Sequence, residues 1–148
     1  MTSFLKNLCA AILLGTASLT ACAQGQGSAS VASAPVETSR LAAVRVHADW
    51  CPNCRALDPK VDAVQQADAW EGVTFVRIDF TQRDKDAVLA EADALGIGPA
   101  VRNYFSPGIK TGLLLLVDID DQKVVSVIKH KETAAGISDK IRAALAGS

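Results

Sequence analysis

Hydrophobic and polar positions change rhythm along the chain. From Met1 to Ala21 the only charge is Lys6, and Leu8, Cys9, Ala10, Ala11, Ile12, Leu13 and Leu14 form one short apolar run before small residues take over. From Ala23 to Arg40 (AQGQGSASVASAPVETSR) the apolar positions have no period. From Leu41 onward the pattern switches between the two-residue period of strands and the 3.6-residue period of helices.

In that last part, Leu41 to Ala48, β-branched at Val44 and Val46, predicts a strand. Leu57, Val61 and Val64 fall at helical spacing within 52–69, with Pro59 as an expected kink. Val73 to Phe80 predicts a second strand. Asp84 to Leu95 predicts a helix with Val88, Leu89, Ala92 and Leu95 on one face and Gly96 as its stop. Leu113 to Ile119 is almost wholly apolar, the signature of a strand buried on both faces. Asp120-Asp121-Gln122 then turns the chain into Lys123 to Lys129, an antiparallel neighbour. Thr133 caps a final helix to Ala146 with Ile137, Ile141 and Leu145 in one stripe. Strand, helix, strand, helix, strand, strand, helix is an α/β order: a parallel βαβ unit joined to a ββα unit around a mixed sheet, with helices on both faces. The segment 97–110 (IGPAVRNYFSPGIK) has two readings. It is a loop with a short helix that packs Tyr104 and Phe105 on the core, or a lid facing a substrate.

Composition narrows the function. A chain of 148 residues with 49% hydrophobic and 21% charged content holds one globular domain and excludes a multidomain enzyme. Fifteen Lys and Arg against sixteen Asp and Glu leave no basic surplus, so nucleic acid is not an expected partner. The chain divides into an export signal over 1–21, a flexible tether over 22–40 and a folded domain over 41–148. The apolar run is too short, and too soon followed by polar residues, for a membrane span.

The exit of the signal, Leu19-Thr20-Ala21-Cys22, resembles the bacterial lipobox. That resemblance implies cleavage before Cys22, lipidation of its thiol and a lipid-anchored protein on the periplasmic side of the cell envelope. Ala23 in place of an Asp after the cysteine favours the outer membrane. The alternative is a cut after Ala23 at an A-x-A site, releasing a soluble periplasmic protein. The Gly/Ser/Ala-rich tether would hold an anchored domain about 20–25 Å from its anchor.

Either cut leaves Cys51 and Cys54 as the only cysteines of the folded part. They form a C-x-x-C (Cys51-Pro52-Asn53-Cys54) where the first strand passes into the first helix. A sulfur at a helix start faces free N–H groups and the positive end of the dipole, which favours thiolate. The second, one turn in, can attack a mixed disulfide formed on the first. Cys51 is therefore the expected attacking thiol and Cys54 the resolving one, with no metal and no cofactor beyond the redox-active Cys51–Cys54 disulfide. A purely structural bridge would close a loop too small to gain much entropy. A metal site would have to recruit His47 or His130, of which His47 is read as a strand residue facing a helix or solvent and His130 as solvated. Asp118, Asp120 and Asp121 read as a turn rather than calcium ligands.

With Trp50 before the first cysteine, Pro59 five residues after Cys54 and this order of elements, residues 41–146 resemble the thioredoxin superfamily. His47-Ala48-Asp49-Trp50-Cys51, Arg55 and Phe80-Thr81-Gln82-Arg83-Asp84 look most like the periplasmic domain of DsbD-type reductases. The resemblance implies a thioredoxin-like fold and a thiol–disulfide oxidoreductase reducing partner-protein disulfides, a monomer supplied with electrons by a membrane donor. It also implies supporting roles for Trp50, Pro52, Asn53 and Pro59. A non-catalytic binding module and a copper-handling protein are the alternatives.

The chain departs from the family in three places. Pro52-Asn53 replaces the usual Gly-Pro, which leaves oxidant or reductant open. Arg45 stands where thioredoxins carry a buried acid, so Asp49 or Asp79 would have to take the proton. No proline precedes Leu113. Either 97–110 is an insertion and Thr111 takes the place of the family's cis-proline, or the segment loops back and puts Pro99 there.

Overall fold

The computed structural model describes residues 39–148; the expected export signal, Cys22 and most of the expected tether lie outside the described residues. In chain order the elements are β1 (Leu41–His47), α1 (Pro52–Ala67), β2 (Val73–Asp79), α2 (Lys85–Ala94), α3 (Gly98–Tyr104), β3 (Leu113–Asp118), β4 (Lys123–Lys129) and α4 (Ala134–Gly147). The strands form one sheet in the order β2-β1-β3-β4. β1 and β2 run parallel, and β3 is antiparallel to both β1 and β4.

Burial on both faces explains why β1 and β3 carry almost no polar positions. Ala42, Val44 and Val46 of β1 join Leu115 and Val117 of β3 in a cluster with α2 and α3. Leu41 and Ala43 point the other way, into a cluster with Leu57, Val61 and Val64 of α1 and Ile137 and Ile141 of α4. Helices thus cover both faces. On that second face β1 ends in two polar positions, Arg45 and His47.

Helix ends are fixed by identifiable groups. Asp84 Oδ1 accepts from the N–H groups of Asp86 and Ala87 at 3.0 Å, and Thr133 Oγ1 accepts from Gly136 at 3.0 Å. α2 stops in a Schellman motif. Gly96, at φ +72°, donates to Asp93 O and Ile97 donates to Ala92 O. Trp70 Nε1 donates at 2.8 Å to Val64 O, one of the last carbonyls of α1 that lack a helical partner. α1 continues through Pro59, which is exposed.

Of the two readings of 97–110, the structure matches the first, a short helix (α3) that packs Tyr104 and Phe105 on the core, and not the lid. Ile97, Ala100, Val101, Tyr104 and Phe105 recur at helical spacing, and all pack in the α2–α3 cluster, Phe105 at 1% exposure. The first half of the segment, α3, is a core helix.

β4, at the sheet edge, carries an irregularity. Leu116 pairs with Ser126 but Val117 with Val124, so Val125 is left over and turned 46% exposed to solvent. Among the described residues no helix is long and apolar enough to cross a membrane.

Candidate active site

The C-terminal end of β1 delivers the cysteines. Cys51 N donates at 3.0 Å to Ala48 O, closing a tight turn with Asp49 and Trp50 at its apex. Cys51 is the N-cap of α1 and Pro52 occupies the first helical turn, where a missing N–H costs nothing. Cys51 Sγ accepts from the Cys54 N–H at 3.1 Å, so the sulfur takes the place of a capping oxygen. Cys54 Sγ lies inside the first turn and donates to Val46 O at 3.8 Å. Both are free thiols, 4% and 1% exposed.

The two sulfurs differ in acidity for stated reasons. Burial pushes the Cys51 thiol up. Hydrogen bonds from the Cys54 thiol, the Thr111 side chain and the N–H groups of Cys54 and Asn53 outweigh it, and Cys51 ends below the ordinary 9.0. Burial also pushes Cys54 up. Its hydrogen bond to Cys51 and the Cys51 charge add to this, and it reaches about 11. A ready thiolate beside a reluctant thiol is the electrostatic form of a nucleophile with a resolving partner.

Thr111 touches both sulfurs, whereas Pro99 is exposed in the first turn of α3. Of the two placements open from sequence, the segment before β3 is the one that meets the cysteines. Gly112 makes this possible. It sits at φ +74°, and a Cβ there would lie 2.4 Å from Asn53 Cβ and 3.3 Å from the Asn53 carbonyl carbon. The backbone of 111–112 therefore lies directly on the turn between the cysteines, an approach only glycine permits.

Trp50 is 42% exposed and leans on the loop after β2. Its Nε1 donates to Thr81 O at 3.0 Å, Phe80 meets it edge-on at 6.2 Å, and the Arg83 guanidinium lies 4.3 Å over the ring. The turn is held from that side too, by Asp49 N donating to Thr81 Oγ1 at 3.2 Å. Arg55 Nη1 donates to Asp49 O at 2.9 Å.

Sequence spacing did not reveal the ion pairs behind the turn. Arg45 Nη1 donates to Asp58 O at 3.1 Å, and its Nη2 pairs with Asp62 at 2.5 Å. His47, 8% exposed, faces α1 with Nδ1 2.5 Å from Asp58 Oδ2, while Nε2 is 3.1 Å from Asp49 Oδ1. Both acids suggested from sequence for proton transfer have a hydrogen-bond partner. Asp49 turns to His47, and Asp79 accepts from Thr81 N at 2.5 Å. Burial raises the Asp79 carboxyl, but the bonds from Thr81 and the charges of Arg77 and His47 bring it below 3.8. Pro59 stands along α1 as an exposed helix residue, and His130 sits half-buried in the turn after β4, its carbonyl accepting from Lys60 Nζ at 2.7 Å. Among the described residues no set of three or more His, Cys, Asp or Glu could hold a metal ion.

A family model described as Thioredoxin matches residues 29–95. No curated protein matches the chain. Among solved structures, one described as a disulphide isomerase from Xylella fastidiosa Temecula1 is similar at 23% identity over 74% of this chain and 82% of that one, with a TM-score of 0.43. With its four-stranded mixed sheet, its helices on both faces and a C-x-x-C between β1 and α1, the chain has a thioredoxin-like fold, and its residues 29–95 are similar to the thioredoxin family.

Proposed function

We propose that this domain is a thiol–disulfide oxidoreductase that reduces disulfides of partner proteins, with Cys51 as nucleophile and Cys54 as resolving thiol. The observation that carries the reading is the asymmetry of the pair: Cys51 caps a 16-residue helix and is held below the ordinary thiol range, while Cys54 is buried and held above it. The Cys51 thiolate attacks a substrate sulfur. A Cys51–substrate disulfide forms, the substrate S–S bond breaks and the departing thiolate takes a proton from water. Cys51 then carries no charge, which removes two of the causes that keep Cys54 protonated, the hydrogen bond and the coulombic repulsion. Cys54 gives up its proton to water and attacks Cys51 Sγ, forming the Cys51–Cys54 disulfide as the Cys51–substrate bond breaks and the second substrate thiolate leaves. Two electrons pass from the pair to the substrate.

Reduction as the direction, supply of electrons by a membrane donor, and action as a monomer follow the resemblance to DsbD-type reductases. So does a periplasm-facing position, tethered through lipid on Cys22, and an oxidising periplasm makes such a donor necessary. Trp50, Pro52, Asn53 and Thr111 shape the surface that a substrate strand would meet.

Insulin reduction by the purified protein with a thiol donor tests the reading. Wild type is expected to outpace Cys51→Ser, and Cys54→Ser to accumulate a mixed disulfide on Cys51; a wild type no faster than Cys51→Ser would end the reductase reading. Mass spectrometry of the mature amino terminus checks the anchor, which an unmodified Gln24 start would refute.

A further inference from the structure

We infer that His47 is a positioning residue, holding the Asp49-Trp50-Cys51 turn against α1 while its ring carries both protons; this deepens the proposed exchange at Cys51 and rests on it. Each ring nitrogen of His47 meets a carboxylate oxygen: Nδ1 that of Asp58 at 2.5 Å and Nε2 that of Asp49 at 3.1 Å. A neutral imidazole has one N–H and one lone pair, so only the imidazolium can donate to both. Asp49 lies two residues before Cys51 in the turn closed by the Cys51–Ala48 bond, and Asp58 lies one turn beyond Cys54 on α1. The ring therefore spans the two segments whose relative placement sets the position of the sulfurs.

The surrounding charges favour this arrangement. α1 presents Asp58 and, through Arg45, Asp62; β1 itself presents Arg45; the turn presents Asp49; and β2 presents Asp79, opposite His47 in the strand register. On the other side β3 places the apolar Leu114 opposite Arg45. When the ring loses a proton, one carboxylate must face a lone pair. The Asp58 side chain is 16% exposed and Asp49 is 77% exposed. Stranding the buried carboxylate costs more than returning the exposed one to water, so the remaining proton stays on Nδ1 and Asp49 lets go. The clamp is present at low pH and is lost as the pH rises through the ionisation of the ring. The turn keeps its bonds to Ala48, Thr81 and Arg55 but loses its tie to α1, and this loosening raises access to Cys51, which is otherwise 4% accessible.

The test follows alkylation of Cys51 by iodoacetamide in the reduced full-length protein across pH 5 to about 9, within the range where His and thiols titrate, with the Cys51 peptide quantified by mass spectrometry. In wild type the rate per thiolate is expected to rise about threefold at a second inflection, the scale of one partly exposed charged contact. Nitrogen NMR of the His47 ring should show loss of its Nε2 proton at the same pH. His47→Phe should show thiol ionisation alone. Asp49→Asn should lose the inflection too, because an amide can accept from the charged ring and donate to the neutral one. Asp49 is exposed, so this second variant carries the test if His47→Phe does not fold. Superimposable profiles in wild type and Asp49→Asn, or an inflection persisting in a folded His47→Phe, would overturn the inference. Insulin reduction measured alongside separates the two ideas: reduction without the inflection sinks the clamp alone, and an inflection without reduction sinks the exchange reading.

Discussion

Gly112→Ala measures how closely the 111–112 backbone lies on the cysteine turn. Two costs add at this site. An Ala at φ +74° pays about 1–2 kcal/mol for a left-handed backbone. Its Cβ would also stand 2.4 Å from Asn53 Cβ, with the Asn53 backbone immediately behind, so one of two main-chain segments must move, at about 1–3 kcal/mol. Gly96→Ala is the matched control, since Gly96 has φ +72° and nothing within 4 Å of the added carbon. It pays the first cost only. At about 4–8 °C per kcal/mol, Gly96→Ala should lower Tm by about 4–16 °C and Gly112→Ala by about 8–40 °C, the second cost making the Gly112→Ala drop the larger. Thermal melts of the reduced proteins read this difference. Displacing Thr111 and Asn53 also withdraws hydrogen bonds that favour the Cys51 thiolate, so the pH at which iodoacetamide begins to label Cys51 should move up in Gly112→Ala and stay put in Gly96→Ala. Equal melting temperatures together with an unmoved labelling curve would refute the close approach.

Two further outcomes follow from burial and charge. Phe105→Ala should cost about 3–5 kcal/mol in urea unfolding and leave the labelling of Cys51 unchanged, because the ring packs in the α2–α3 core; a lid would give the opposite result. The reduced protein should lose stability between pH 9.0 and about 11. There the unfolded chain ionises Cys54 while the folded chain holds its proton, and stability falls wherever the unfolded state binds fewer protons. Cys54→Ser should remove this contribution in denaturation curves run across the same range.

The elements were legible where one local pattern sufficed. Asp84 and Thr133 announced the starts of α2 and α4, Gly96 announced a stop, and the apolar run of β3 announced a strand covered on both sides. α3 is written at 97, 100, 101, 104 and 105, and a short helix with Tyr104 and Phe105 on the core was one of the two readings of that stretch, which also carries Gly98, Pro99 and Pro107. Pro99 in fact sits in the first turn, where a helix tolerates it. C-x-x-C at a strand-to-helix junction located the sulfurs because its spacing is itself the geometry. The groups around the sulfurs had no such signature. Asp58 and Asp62 meet His47 and Arg45 across 11 and 17 residues, through the pairing of a strand with the helix that follows it. Thr111 reaches the two cysteines and Gly112 reaches Asn53 only because β3 is inserted beside β1. Partnerships of this kind are set by topology, and no periodicity encodes them.

β1 lies inside the sheet with a neighbour on each side, and the reactive turn is the direct continuation of its last residues. The amides of such a strand exchange with solvent only in openings close in free energy to global unfolding, whereas an edge strand such as β4, with its displaced Val125, can detach in far cheaper ones. Fraying of the periphery therefore leaves the sulfurs in register. In a hydrogen-exchange experiment the amides of Val44 and Val46 should be among the slowest in the chain, and a protease that nicks the β4 edge should find the cysteine pair still assembled.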